Sequence, residues 1–388
     1  MDRLLPIASF LLLLGSGACD VAAKTTDSTE VAGSVGSGGA AEASGLPAGA
    51  GSSPRAVRVC TATGADWCAE LNGGVALEYS TSIVRDPEGN LVILGRTEGS
   101  IAGPAHGEFD VFVAKYAPDG QVLWLKQYGT SRSEIPGPLT VDASGNIFFG
   151  YRGDLPGSEV LTAGFIQKLS ADGDPIWNRQ LGTDVPTGIT AAADGSIFFA
   201  EANFSAPLLG KFSPSGALLW TRGNFGGDVA LTSTGDLVLS SLVETKAGVA
   251  LLSSDGDLLW RDDSFSANAF AVDANDNVFA FGSETIRRYS TSGEVVWEAP
   301  LDDRISFASD IAVDANGHVF VIGMANGLSD PFYQVYISEY SQEGELIGGR
   351  ALAVAGSFEG FFLVAVDDGE LFITGPLMSG VFTAHMTF

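Results

Sequence analysis

Histidine and cysteine are scarce in this chain, with three of each in 388 residues. His106, His318 and His385 fall on a long connection, beside a turn and inside a strand-like run. A shared metal or a catalytic triad is therefore not expected from them. The sequence has no glycine-rich phosphate loop and no G-x-S-x-G elbow. No catalytic residue, metal or cofactor is assigned. Basic residues are also few: 20 Lys and Arg stand against 47 Asp and Glu, for a net charge of −27. A nucleic-acid partner is excluded on that ground, because a polyanion would be repelled and counterion release has nothing to work with. Long helical periodicity is missing after the first residues. What remains is runs of Val, Ile, Leu and Phe cut by Gly, Asp, Asn and Ser, with 50 glycines in all, which is an all-β pattern.

The first 19 residues read as an export signal: Arg3, the apolar run "LLPIASFLLLL", the small residues "GSGA", then Cys19. The run is too short to span a bilayer as a helix. "GSGAC" resembles a bacterial lipoprotein signal, in which the cysteine after the cut is lipidated, although Ser16 stands where that family prefers Leu. Simple cleavage after Ala18 is the alternative. Cys60 and Cys68 are close enough to bridge a hairpin in an oxidising compartment. If they pair, Cys19 is left over, and lipidation would remove the free thiol. Residues 20–54, rich in Ala, Gly and Ser, cannot form a core and are expected to act as a disordered tether, with a reach on the order of 30 Å.

Residues 55–388 carry two alternating phrases. One puts tryptophan four positions after a turn glycine, with three residues between: "DGQVLW" to Trp124, "DGDPIW" to Trp177, "SGALLW" to Trp220, "DGDLLW" to Trp260 and "SGEVVW" to Trp297, with "EGELIG" placing Gly348 in the sixth copy. Lys115, Lys168, Lys211 and Arg288 precede the turns on the neighbouring strand and are expected over the indole rings; Leu251 and Glu339 depart from this. The other phrase, such as "VDASGNIFFG", has turn glycines at 89, 145, 195, 235, 317 and 369, with Asp276 in one copy. Its spacing, about 56, 50, 40, 41, 41 and 52 residues, is that of propeller blades built from four short strands, a to d. Seven a–b phrases occur against six c–d phrases, and the last c strand is "VFTAHMTF". "GADWCAEL" supplies a d strand at the other end, with Trp67 in the tryptophan place and Thr63 for the turn glycine. The expectation is a seven-bladed β-propeller of four-stranded antiparallel blades, closed by an N-terminal strand that completes the C-terminal blade.

From about Gly64 to Phe388 the repeats resemble the bacterial β-propeller repeat family labelled SBBP, on "FVAKYAPDGQVLWLKQYG" followed by "VDASGNIFFG". A more distant likeness is to quinoprotein-type repeats, seen in "VFAFGSETIRRYSTSGEVVW". Those occur in redox enzymes and in an outer-membrane lipoprotein that assists barrel assembly, usually with eight blades where seven are counted here.

In a four-stranded meander the a–b and c–d turns share one face of the ring, and the b–c and d–a connections share the other. The b–c connections are long in blades 1, 2 and 6 and moderate in blade 7, which are neighbours once the ring closes. A raised rim there is expected to bind a partner through Arg152, Asp154, Asp330, Phe332 and Tyr333. The functional expectation is a noncatalytic recognition or scaffold protein. It would be a monomer, exported to the bacterial cell envelope and held at the membrane by a lipid anchor alone, with an envelope protein or glycan as partner. One alternative is a small-molecule enzyme (a lyase, a lactonase or a quinoprotein-like enzyme) with its site in the central channel. Another is an assembly factor for outer-membrane barrels.

Overall fold

The computed structural model describes residues 57–59, 65–72, 78–154, 162–182, 184–201, 207–243, 246–325, 334–353, 362–366, 369–377 and 380–388. The chain divides into two compact units, Met1–Gly39 and Ala40–Phe388, and every described residue lies in the second. Among the described residues 29 strands lie as antiparallel neighbours within seven sheets.

Blade 1 comprises β3 (Glu78–Arg85), β4 (Leu91–Thr97), β5 (Asp110–Tyr116) and β6 (Val122–Tyr128). Blade 2 is β7 (Ile135–Val141), β8 (Ile147–Asp154), β9 (Thr162–Leu169) and β10 (Pro175–Gln180). Blade 3 is β11 (Gly188–Ala191), β12 (Ile197–Glu201), β13 (Leu208–Phe212) and β14 (Leu218–Gly223). Blade 4 is β15 (Val229–Leu231), β16 (Leu237–Val243), β17 (Lys246–Leu252) and β18 (Leu258–Asp262). Blade 5 is β19 (Ala269–Val272), β20 (Val278–Phe281), β21 (Thr285–Tyr289) and β22 (Val295–Pro300). Blade 6 is β23 (Ile305–Val313), β24 (Val319–Ala325), β25 (Gln334–Tyr340) and β26 (Leu346–Ala353). First strands touch first strands around the ring, β3 with β7, β7 with β11 and onward to β27 (Phe362–Ala365) with β3, so they form the inner wall.

The seventh blade closes the circle as the repeat count requires. β27, β28 (Glu370–Leu377) and β29 (Gly380–Thr387) are completed by β2 (Trp67–Leu71), with Trp67 opposite His385 and Leu71 opposite Val381. It differs from the expectation in having five strands, because β1 (Val57–Val59) adds outside β2. Cys68 is half of a disulfide. Its expected partner, Cys60, lies outside the described residues, one position beyond the last β1–β2 pair, Val59 with Ala69. Cys19 is also outside them.

Burial explains the strand sequences. A second strand is sandwiched between two neighbouring blades, so both its faces are dry and it reads as an unbroken apolar run. β12, "IFFAE", and β20, "VFAF", are buried at every position. Outer strands such as β14 are exposed almost throughout. Seven hydrophobic clusters fill the seven joints between blades, and one of them joins Leu71, Phe372 and Val381 of blade 7 to Leu91, Ile93 and Phe112 of blade 1.

The tryptophans tie each joint. Trp67, Trp177, Trp260 and Trp297 donate their Nε1–H to Pro118, Pro214, Thr291 and Gln342 O in the c–d turn of the next blade, at 3.1, 3.2, 3.1 and 2.9 Å. Each indole needs a turn beside it with no side chain in the way. At Gly344, whose φ is +84°, a Cβ would sit 2.7 Å from Trp297 Cδ2. This also explains Gly348. After blade 6 the next c–d junction is the meeting of β29 with β2, which no turn connects, so an indole at position 348 would have no turn to cover. Arg350 serves instead, donating to Thr387 O and lying 5.2 Å from the Phe388 ring centre.

The basic residues opposite the tryptophans are where the repeats put them, with Lys168 paired to Trp177 and Arg288 to Trp297, but they do not cover the indoles. Lys168, Lys211 and Arg288 lie over Phe148, Phe198 and Phe279 of their own second strands, at 4.8, 4.6 and 5.6 Å. Lys115 instead pairs with Asp86 at 2.8 Å and donates to Ala171 O of the next blade. The indoles are covered from the residue two places further on: Lys126 over Trp124, Arg179 over Trp177 and Arg222 over Trp220. A strand's side chains alternate, so position +2 shares the indole's face.

Each c–d hairpin also carries a bulge just before the tryptophan position, at Leu123, Ile176, Leu219, Leu259, Val296 and Ile347. All six bulged residues are 50–55% exposed.

Candidate functional site

On the turn face the "DxxGN" phrase closes on itself. Asp142 Oδ1 accepts the Ser144 and Asn146 N–H groups, each at 2.9 Å, and Oδ2 accepts Asn146 Nδ2 at 2.8 Å. Asp86 and Asp273 repeat this pattern. Asp276, in the copy without glycine, takes φ 64° and ties its turn to Ser233 of blade 4 through both carboxylate oxygens. These carboxylates are occupied by hairpin N–H groups, as structural turns require.

The opposite face is irregular, and its described part is most built up around blades 1 to 3. The connection from β4 to β5, residues 98–109, is anchored from below by two side chains that interrupt the repeat. Gln127, fully buried at the end of β6, accepts the Ile101 and Ala102 N–H groups at 3.1 and 3.2 Å. Its Nε2 donates to Gly99 O at 2.9 Å and to Asp110 Oδ2 at 2.6 Å. Asp110, at the start of β5, also accepts the backbone N–H groups of His106 at 2.9 Å and Gly107 at 3.2 Å. Ile101 and Ala102 are buried at 2% exposure, so the loop has a core of its own.

This loop is stitched to the d–a connection between blades 1 and 2. Glu108 N–H donates to Arg132 O at 3.2 Å, Glu134 N–H donates to Phe109 O at 2.8 Å, and Phe109 and Ser133 form a parallel bridge. Gly107 is forced by this contact, since a Cβ there would collide with the Arg132 carbonyl. Arg96 lies 4.8 Å from the ring centres of both Tyr79 and Phe109, which fixes the loop's far end. Glu134 is fully buried and accepts the Thr130 N–H and hydroxyl. Burial pushes its carboxyl up to about 7, against the pull of the Thr130 hydrogen bonds and with added repulsion from Asp110 and Asp154.

Arg152 and Asp154 lie on this face, at the end of β8. Arg132 from the d–a connection meets Asp154 at 3.1 Å, and Arg152 reaches Asp184 at 3.4 Å. Connections of both kinds thus come together on one side of the ring, across three consecutive blades. Asp330, Phe332 and Tyr333 lie outside the described residues. In blade 7, β28 and β29 extend until two residues remain between them, so the moderate connection there is absorbed into strand. Asp110, Gln127, Arg132 and Glu134 were not singled out from the sequence. Their only signal was the length of the insertion they support.

The histidines are kept apart. His106 pairs with Asp110 at 3.2 Å, His318 with Glu339 at 3.0 Å and His385 with Asp66 at 3.4 Å, in blades 1, 6 and 7. Asp228, exposed just before β15, accepts the Val229 N–H at 2.8 Å. Among the described residues no group of three or more His, Cys, Asp or Glu is gathered to hold a metal.

No family model and no curated protein matches this chain. Solved structures do. The RRP9 WD40 repeats superpose with a TM-score of 0.58 at 9% identity, over 86% of this chain and 99% of that one. U3-55K gives 0.57 at 9%, over the same shares. A chain of the Mitotic Checkpoint Complex gives 0.55 at 11%, over 86% and 95%. At such identities the likeness shows the propeller fold and nothing finer.

Proposed function

We propose that this protein is a noncatalytic recognition or scaffold propeller of the cell envelope, exported and tethered through lipidated Cys19, that binds an envelope protein or glycan on its loop face. The observation that carries this reading is the anchored 98–109 loop. A surface loop left to drift has no reason to bury Ile101 and Ala102 or to recruit Gln127 and Asp110 beneath it. Preorganisation of this kind lowers the ordering cost of binding. The exposed platform beside it, with Glu108, Arg132, Arg152 and Asp184, offers both signs of charge over a short span. Mixed charge favours selective recognition over adhesion to a uniformly charged surface.

Affinity capture from solubilised envelopes tests the reading. Wild type is compared with a Glu108→Lys, Arg132→Glu, Arg152→Glu variant whose altered side chains are exposed or, at Arg152, half-buried. The variant is expected to keep the wild-type melting temperature and to lose the captured partner. Equal capture by both proteins would place the site elsewhere.

A further inference from the structure

Six blades end in an outer strand that has nothing paired beyond it among the described residues: β6, β10, β14, β18, β22 and β26. An open edge presents a row of unpaired N–H and C=O groups and templates another extended chain. Of the eleven large hydrophobic side chains exposed among the described residues, ten lie at the start of these outer strands; the other is Phe307. Blades 3 to 6 show two each, such as Leu258 and Leu259 at 52% and 53%. Trp220 reaches the Gly256 turn and Trp260 the Gly293 turn of the following blade, so an indole lies between one exposed pair and the next. Exposed apolar side chains grouped in this way mark a contact.

Blade 7 is the reverse case. Its tryptophan is preceded by Ala65 and Asp66 instead of an aliphatic pair, and its outer edge is already occupied. β1, "VRV", lies antiparallel on β2, with Arg58 in register with Glu70. The fold therefore accepts a fifth strand at this edge, and in the example it contains that strand is aliphatic and basic in alternation.

Charge selects among occupants of the other edges. The turns that lead into them carry acids: Asp255 and Asp257 before Leu258, Glu294 before Val295, Glu345 before Leu346. A second copy would bring the same acids, and the net charge of −27 opposes both self-association and an anionic bilayer. We propose that the outer edges of blades 4 to 6 dock an extended segment of a partner protein in which aliphatic and basic residues alternate, added antiparallel as a fifth strand. Main-chain hydrogen bonds to the edge would hold it. Its aliphatic side chains would cover the exposed pairs, and its basic ones would meet the turn acids. This rim surface is separate from the loop-face platform, and either could fail without the other.

The full chain is titrated with a fluorescein-labelled Arg-Val-Arg-Val-Arg-Val peptide, followed by anisotropy at low salt. The expected result is saturable binding. It should weaken at least tenfold with Leu258→Ser, Leu259→Ser, Val295→Ser and Val296→Ser combined, and equally with a peptide N-methylated on alternate residues. The four side chains are half-exposed, so the variant should melt like wild type, and a binding loss then reports the surface. Absence of saturable binding overturns the proposal, as does equal affinity for the serine variant or the N-methylated peptide. Concentration-dependent self-association abolished by the four serines would assign the edge to a second copy instead. Flotation with phosphatidylcholine vesicles, lost in the same variant, would assign it to lipid.

Discussion

The two faces of the propeller are built from the same blades and behave in opposite ways. On the turn face the hairpins repeat, Asp86, Asp142 and Asp273 accept from their own turns, and four tryptophans donate across a blade joint. On the loop face the connections differ from blade to blade, and the network under residues 98–109 occurs once among the described residues. Repetition holds the ring together, while the departures from it supply distinct surfaces. Changes on the turn face should therefore cost stability, and changes on the loop face should alter pH response or binding.

Trp297 gives the largest break. Trp297→Ala removes the hydrogen bond to Gln342 and the packing on Phe279 and Gly344, and should cost about 2–3 kcal/mol in denaturant unfolding, less than a fully buried tryptophan would. The reverse change, Gly348→Trp, should bring no comparable gain, because no c–d turn lies beyond it.

The two kinds of turn glycine sharpen the comparison within one face. Gly235, at φ +86°, has nothing within 4 Å of a new Cβ, so Gly235→Ala should cost only left-handed backbone strain, about 1–2 kcal/mol. Gly344→Ala adds the collision with Trp297 and should lower the melting temperature further. Equal losses would show that the indole does not rest on that turn.

The loop face should show the smallest effect, in pH dependence. Glu134 has its carboxyl raised to about 7 from an unfolded value of 4.5, so folding favours its protonated form. Its contribution to stability is complete below pH 4.5 and is lost as pH rises through 7. Glu134→Gln should flatten that part of the stability curve, leaving the variant relatively more stable than wild type at pH 8 than at pH 4. Parallel curves for the two proteins would show that Glu134 does not titrate across this range.

Period and turn chemistry were local, and therefore legible. Glycine and asparagine at fixed spacing called for left-handed turns, and Gly89, Gly145 and Gly235 adopt them at φ 86°, 78° and 86°. The count of phrases gave the closing pairs, down to Trp67 in the last blade. The expected cation over each indole failed for a reason no spacing discloses. Lys168 is opposite Trp177, but its ammonium extends to Phe148 on the far neighbour, while Arg179 takes the indole face. The loop platform was legible only as an insertion. Its supports, Asp110 and Gln127, are ordinary polar residues in sequence, and burial beside four loop N–H groups is what gives them a role.

What the sequence by itself determined is the number of blades, the place of every hairpin and the need for an N-terminal strand to finish the ring, because these follow from residue period and the φ that tight turns demand. Only the tertiary structure decided which side chains meet across a joint, why Gly348 has no indole, and where a fifth strand lies. Those contacts join residues distant along the chain, and their geometry is set by how one blade packs against the next.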